Sequence, residues 1–284
     1  MKVSEIASGD WGKIKKYIVP DVAECLARIT CTGLVAENEK GEAEGVCIFE
    51  WKDKDEDSET WAEFLCFRAE TKEAGTLLLE EYAKYANESE VCRSAFELKD
   101  LTWTEQEILE ASGFSLEEKE SRDLYICVKD LKALKKLVKK KPPAFVSSLE
   151  NHVGLAFFQG LANCLFHGFK GIVENISMLP LTFYDKELSC CVEADERVVG
   201  LFLIHILPSG TLMPVMFACV GPDYQKNLLY MLMFTARAAV EKYDPEDKVL
   251  IRRQTPHAKA LTEKLFPCRT GETVISGERR EVVV

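Results

Sequence analysis

The sequence predicts an α/β (α+β) chain built as two similar domains in tandem, each a mixed, mostly antiparallel sheet flanked by helices. Three observations support this. The same order of strand-like and helix-like segments occurs twice. Matching residues lie 155 positions apart, from Gly45 to Gly200 (200 − 45) and from Glu70 to Gln225 (225 − 70). A lysine-rich stretch, closed by Pro142 and Pro143, stands between the copies.

Each copy opens with helically spaced apolar residues, KIKKYIVPDVAECLARI in the first and VGLAFFQGLANCLFHGF in the second. Three strand patterns follow in the first copy, GLVAEN, EGVCIFEW and TWAEFLCF, with the acidic tip DKDEDSE before the third. Their counterparts are SCCVEA, VVGLFLIHIL and TLMPVMFACV. A helix comes next, LLLEEYAKYA or LLYMLMFTARAAVEKY, then a strand, SAFELKDL or KVLIRRQ, and a short helix, TEQEILEASGF or PHAKALTEKLFP. Each copy is expected to close with a hairpin, SLEEKESRDLYICV or TGETVISGERREVVV. The domains are placed at 1–130 and 146–284. The segment between them, 131–145, is read as a linker helix, with Leu131, Leu134, Leu137 and Val138 on one side of KDLKALKKLVKKK.

A chain of 284 residues with 47% hydrophobic content can bury two cores. Its net charge of −11 argues against a nucleic-acid partner, which needs basic surface to displace counterions. No apolar run approaches the length that spans a bilayer, and the N-terminus lacks a signal-peptide core, so the expected location is cytoplasmic, with no membrane contact. Most of the eleven cysteines sit in apolar patterns such as GVCIF and EFLCF, where a reduced thiol acts as a small hydrophobe. No CxxC pair exists, and His152, His167, His205 and His257 have no partners at ligand spacing, so no metal site is expected.

The stretch VGPDYQKNLLYMLMF leads from a strand into a helix through a polar turn. Helix-start amides lack intrahelical acceptors and the helix dipole favours an anion there. Gln225, Lys226 and Asn227 add donors and a positive charge to that end. Asn227 is equally read as the cap of a core helix. In the first copy Lys72 and Thr76 are the matching donors, while Glu70 and Glu73 would repel a phosphate.

This element order and turn resemble the GNAT superfamily of acyl-CoA-dependent N-acyltransferases, whose strand and turn read V-x-P-x-Y-[RQ]-G-x-G-x-[GA]. Val220, Pro222, Tyr224 and Gln225 match its opening, whereas Leu228 and Tyr230 stand at glycine positions; the first copy keeps only Gly75. The resemblance implies acetyl-CoA or another acyl-CoA as cofactor, held chiefly by the second copy. The implied acceptor is an amine, a small molecule or a peptide. It also implies an oxyanion donor on strand four, among Ala218, Cys219 and Val220. The family's acidic tyrosine is replaced by Thr262 and by Leu109. His205 is the candidate base of the second copy and Glu63 of the first, each read alternatively as a core or an outward-facing strand residue. The different-class reading is a non-catalytic GNAT-like module for acyl-CoA or protein binding. Oligomeric state is not legible.

Overall fold

The structure is a computed structural model that describes residues 1–7, 11–52, 59–134, 139–151 and 154–281. In chain order the elements begin β1 (Lys2–Glu5), α1 (Trp11–Ile14), α2 (Pro20–Cys25), β2 (Cys31–Glu37), β3 (Ala43–Lys52), β4 (Trp61–Ala69), α3 (Lys72–Glu88), β5 (Arg93–Leu98), α4 (Trp103–Ala111) and β6 (Ser115–Glu120). They continue β7 (Asp123–Cys127), α5 (Val128–Ala133), β8 (Val146–Ser148), α6 (Leu155–Phe166), β9 (Cys190–Ala194), β10 (Arg197–Ile206), β11 (Leu212–Cys219), α7 (Tyr224–Lys242), β12 (Lys248–Arg252), α8 (Pro256–Leu265) and β13 (Thr273–Arg280).

Two compact units result, Met1–Ser121 with Glu272–Val284, and Arg122–Gly271. Among the described residues the first unit holds a seven-stranded sheet, β1-β2-β3-β4-β5-β13-β6, and the second a six-stranded one, β7-β12-β11-β10-β9-β8. Only β4–β5 and β11–β12 pair in parallel; the other neighbours are antiparallel. This is the expected mixed, mostly antiparallel architecture with flanking helices.

The closing hairpins differ from expectation. β6 and β7, separated only by Ser121 and Arg122, do not pair with each other: β6 pairs with β13, and β7 with β12. β13 fits between β5 and β6 because Gly277 lies opposite Phe96, whose ring would stand 2.3 Å from any Cβ at that position. The chain therefore changes unit at 121–122 and returns at 271–272, and not at the expected 131–145. α5 spans Val128–Ala133 and so reaches only the first three residues of that stretch; its first turn is capped by Asp130, which accepts from the Cys127 amide at 2.9 Å. Leu137 and Val138 lie outside the described residues.

The expected offset of 155 holds at Gly45 and Gly200, which face Ala69 and Cys219 across the next strand. That second pair is 150 apart (219 − 69). Eight residues, 53–60, separate the paired Lys52 and Trp61, against three, 208–210, between Leu207 and Thr211, whose backbones bond at 2.9 Å. Helix starts shift again, with Thr71 and Asp223 as N-caps of α3 and α7, 152 apart (223 − 71). Glu70 thus precedes its helix while Gln225 lies inside the other one. The sequence-level match of these two residues is corrected.

Candidate functional site

In both sheets a gap opens beside the fourth strand. Leu65 in β4 and Val215 in β11 are bulged, each having no partner on the preceding strand. β4 and β5 pair from Trp61 only as far as Phe64, and β11 meets β12 only at Leu212. A bulge bends its strand and interrupts the ladder, so strand four leaves strand five at these points. Backbone amides alternate sides along a strand. The Glu70 amide donates to Glu44 at 2.8 Å and the Val220 amide to Val199 at 2.8 Å, both away from the gap. The preceding amides, of Ala69 and Cys219, therefore face into it.

The first unit fills its gap with its own side chains. Ala69 donates to Glu105 Oε1 at 3.0 Å, while Glu105 Oε2 accepts from the Thr102 amide at 2.7 Å as half of a capping box that starts α4. Arg68 lies 3.6 Å from the same carboxylate. Above this, Gly75 lets α3 close on α4: a Cβ there would meet Ile108 at 2.7 Å and Ala69 at 3.1 Å. So Gly75 serves helix packing. Glu70 accepts from Lys16 at 2.6 Å and Tyr17 at 2.7 Å, which hold its carboxyl below the ordinary carboxylate value. Lys72 pairs with Glu107 at 2.7 Å, and Thr76 is exposed.

The second unit lacks these obstructions. Counted from the N-cap Thr255, Ala258 holds the place that Glu105 holds from Thr102 (both three residues on). Leu261, the counterpart of Ile108 (261 − 255 and 108 − 102, both 6), is 39% exposed, and α7 and α8 barely touch where α3 and α4 pack together. Gln225 and Lys226 are exposed at the start of α7. The expected cradle of amides beyond Gln225 is altered, because the Lys226 and Asn227 amides both donate to the Asp223 carbonyl, at 3.1 and 3.0 Å. The N-cap is Asp223, so Asn227 does not cap the helix; the Cys219 thiol donates to the Val220 carbonyl at 3.6 Å, and burial raises its pKa, opposed by the Asn227 side chain. Cys219 and Ala218 are buried, and Leu228 packs into the core beneath α7. Tyr230 turns onto Phe145, ring centroids 5.8 Å apart. Phe145 leads into β8, at the sheet edge away from the gap.

His205 lies elsewhere. It pairs with Met213, six residues before Cys219 (219 − 213), or roughly 20 Å at strand rise. Its ring stacks on Phe183 at 3.8 Å, and Nδ1 sits 2.7 Å from the Phe183 carbonyl, which can only accept, so Nδ1 carries the hydrogen. It lines a cavity of about 450 Å³ together with Glu150, Asp185, Lys186 and Glu187. The matching residue of the first unit is Glu50 (205 − 155), buried and bonded to Lys52 at 2.6 Å and Arg28 at 3.2 Å. Glu63 faces the same Lys52 at 3.3 Å and belongs to this ion cluster. Thr262 spends its hydroxyl on its own helix, donating to Ala258 and Lys259, and Leu109 is core. All eleven cysteines are free thiols. Among the described residues no group of three or more His, Cys, Asp or Glu could hold a metal ion, and no helix is long and apolar enough to cross a membrane.

Sequence reading missed Glu105 and Ala258. Their signal was present as T-x-x-E in TWTE against T-x-x-A in TPHA, the first a capping box.

No family model and no curated protein matches the sequence. Solved structures do match in fold. A tandem GNAT protein from the clavulanic acid biosynthesis pathway aligns over 99% of this chain and 98% of its own, with TM-score 0.62 and 8% identity. A GCN5-related N-acetyltransferase from Sphaerobacter thermophilus aligns over 98% and 95%, with TM-score 0.56 and 11% identity. The glucosamine N-acetyltransferase region of a fungal multi-domain GH3 β-N-acetylglucosaminidase gives TM-score 0.59 at 10% identity, over 98% of this chain and only 38% of that much longer one. At these identities the likeness is one of fold. The chain has the tandem GNAT fold that its element order resembles.

Proposed function

We propose that this protein is an acyl-CoA-dependent N-acyltransferase, an acetyltransferase in the first instance, whose cofactor half is the second unit. The observation that carries the reading is the contrast between the two gaps, one closed by Glu105 and one with Ala258 in its place. The donor set beside the open gap fits an acyl-CoA. Gln225 and Lys226 would hold phosphates at the start of α7, and the Cys219 amide would bind the cofactor's arm on its way down the gap toward the bulge. Lys72, Gly75 and Thr76 take no part, since the first unit's gap is occupied by its own helices.

Bound acyl-CoA supplies an electrophilic thioester carbon. The acceptor must reach it as a neutral amine, so a base has to remove a proton from the ammonium form. His205 is two residues along the strand pair from the Val215 bulge where the gap begins, and its ring is fixed by Phe183. It would take that proton from an amine lying over the bulge. Glu63 is paired with Lys52 in the other unit and is not assigned this role.

Titration calorimetry of the whole chain with acetyl-CoA tests the reading, with one site per chain expected. A specific observation favours the second reading, a non-catalytic GNAT-like module. The Lys226 and Asn227 amides are already engaged by Asp223, and Leu228 and Tyr230 replace glycines. If the native chain binds no acetyl-CoA while Tyr230→Gly does, the turn is a relic and that reading stands.

A further inference from the structure

The cavity of about 450 Å³ at His205 is walled by two short segments of the second unit, 148–150 and 182–187, which hydrogen bonds tie to the end of β10 and to each other. The Asp185 amide donates to the Ile204 carbonyl at 2.8 Å, and the Leu149 amide to the Ser189 carbonyl at 2.9 Å. The Ser148 hydroxyl joins the segments, donating to the Lys186 carbonyl at 2.7 Å and accepting from the Glu150 amide at 3.1 Å. The Asp185 carboxylate fixes the turn after it, accepting from the Glu187 and Leu188 amides at 3.1 and 2.7 Å. Glu150, Asp185 and Glu187 are so brought to the same opening as the His205 ring, which is only 6% exposed.

The charges at this opening do not cancel. Three carboxylates line it with one ammonium, that of Lys186. Lys242 reaches in from the end of α7, 2.9 Å from Glu187 and 3.8 Å from Asp185, and offsets one more. With a neutral imidazole the walls then carry one negative charge in excess (3 − 2), and the Glu150 carboxylate has no partner among the described residues. The surrounding field has the same sign, since the chain carries −11 and draws cations toward any opening lined with carboxylates. Phe183 and Ile206 add an apolar wall along which a short carbon chain can lie.

We propose that this cavity seats the acceptor, and that the acceptor is a primary amine carrying a second positive charge, in its simplest form a diamine. One nitrogen lies over the Val215 bulge at His205, and the other is held among Glu150, Asp185 and Glu187. The fate of the first nitrogen rests on the acyltransferase reading; recognition of the second does not. An acceptor that ends in a carboxylate meets like charge at Glu150 and Glu187, and a monoamine leaves those carboxylates without a ligand.

Acetyl transfer by the whole chain should be followed with three acceptors of matched length, 1,4-diaminobutane, butylamine and 4-aminobutanoate. The diamine should show kcat/KM roughly 10-fold or more above butylamine, with 4-aminobutanoate below both, and the differences should narrow as salt screens them. In the double variant Glu150→Gln with Glu187→Gln the ratio of diamine to butylamine should fall to within about 2-fold. Both positions are exposed, so its melting should stay close to that of the native chain. Calorimetry of 1,4-diaminobutane with the chain, without acetyl-CoA, reads the second charge separately. Diamine binding that the double variant weakens, with no acetyl transfer to any amine, would uphold the site and remove the acyltransferase reading. Equal kcat/KM for all three acceptors would overturn the proposal and leave that reading in place. A preference for the diamine that survives the double variant, or a chain that neither binds nor acetylates the diamine, would also overturn it.

Discussion

The gap beside β4 and the gap beside β11 start at equivalent bulges and lead to equivalent helices, yet one is filled and the other is lined by small or outward-turned side chains. Glu105 bonds the gap-facing Ala69 amide at 3.0 Å, where Ala258 has only a methyl group to offer. Gly75 admits Ile108, while Leu261 stays half out in solvent. Glu50 is locked between Lys52 and Arg28, while His205 stands at the wall of a cavity. The backbone scaffold was kept in both copies and the chemistry of the opening was not. A fold is set by many distributed contacts, whereas a cleft can be closed by one carboxylate and one close helix crossing.

The largest expected effect tests the ion cluster that sets the first unit apart. Glu50→Gln should cost about 3 kcal/mol, because it removes one partner of a buried pair and leaves Lys52 short of countercharge. Burial alone would raise the Glu50 pKa, but Lys52 and then Arg28 outweigh it and hold the carboxyl below its ordinary value. That stabilisation is present above the unfolded carboxylate range and is lost as pH falls through the lower folded value. Urea melts should therefore show the native chain losing more stability than Glu50→Gln below about pH 4.

Next in size, Ala258→Glu should rebuild the first unit's obstruction in the second. Acetyl-CoA binding should weaken by roughly 100-fold, about 2.7 kcal/mol, in calorimetry. Unchanged affinity would mean that the acyl arm does not pass the Cys219 amide. Gly75→Ala should cost about 2 kcal/mol by overpacking against Ile108, read from chemical denaturation. The smallest effect is that of Lys226→Glu, a several-fold loss of acetyl-CoA affinity at low salt that shrinks as salt screens it, with stability almost unchanged at so exposed a position.

Much of the fold, unlike the contrast between the two gaps, was legible beforehand, and the reasons are local. Period changes mark the strands and helices, the T-x-x-E and T-x-x-A starts mark α4 and α8, and a constant Gly45–Gly200 offset betrays the duplication. What escaped was non-local. Two strands two residues apart, β6 and β7, read as a hairpin because nothing in SLEEKESRDLYICV names partners as distant as Thr273 for Glu120 and Lys248 for Cys127. The shift from 155 to 150 hid in a shorter turn, and it moved Gln225 away from Glu70. The amides of Lys226 and Asn227 were expected to be open because the motif lists residue types, and the Asp223 carbonyl that takes them is a backbone atom.

The place of β13 in the first sheet bears on how the chain is made. Among the described residues β6 has β13 alone for a neighbour, and β13 is synthesised after the whole second unit. Between the end of β6 and the start of β13 lie 152 residues (121–272). At 5–20 residues per second, that is roughly 8–30 s during which the nascent N-terminal sheet ends at β5 with an open edge. β6 itself, SLEEKE, is half glutamate. Those charges keep a waiting strand soluble and discourage it from pairing with a neighbouring chain before its own partner has been synthesised.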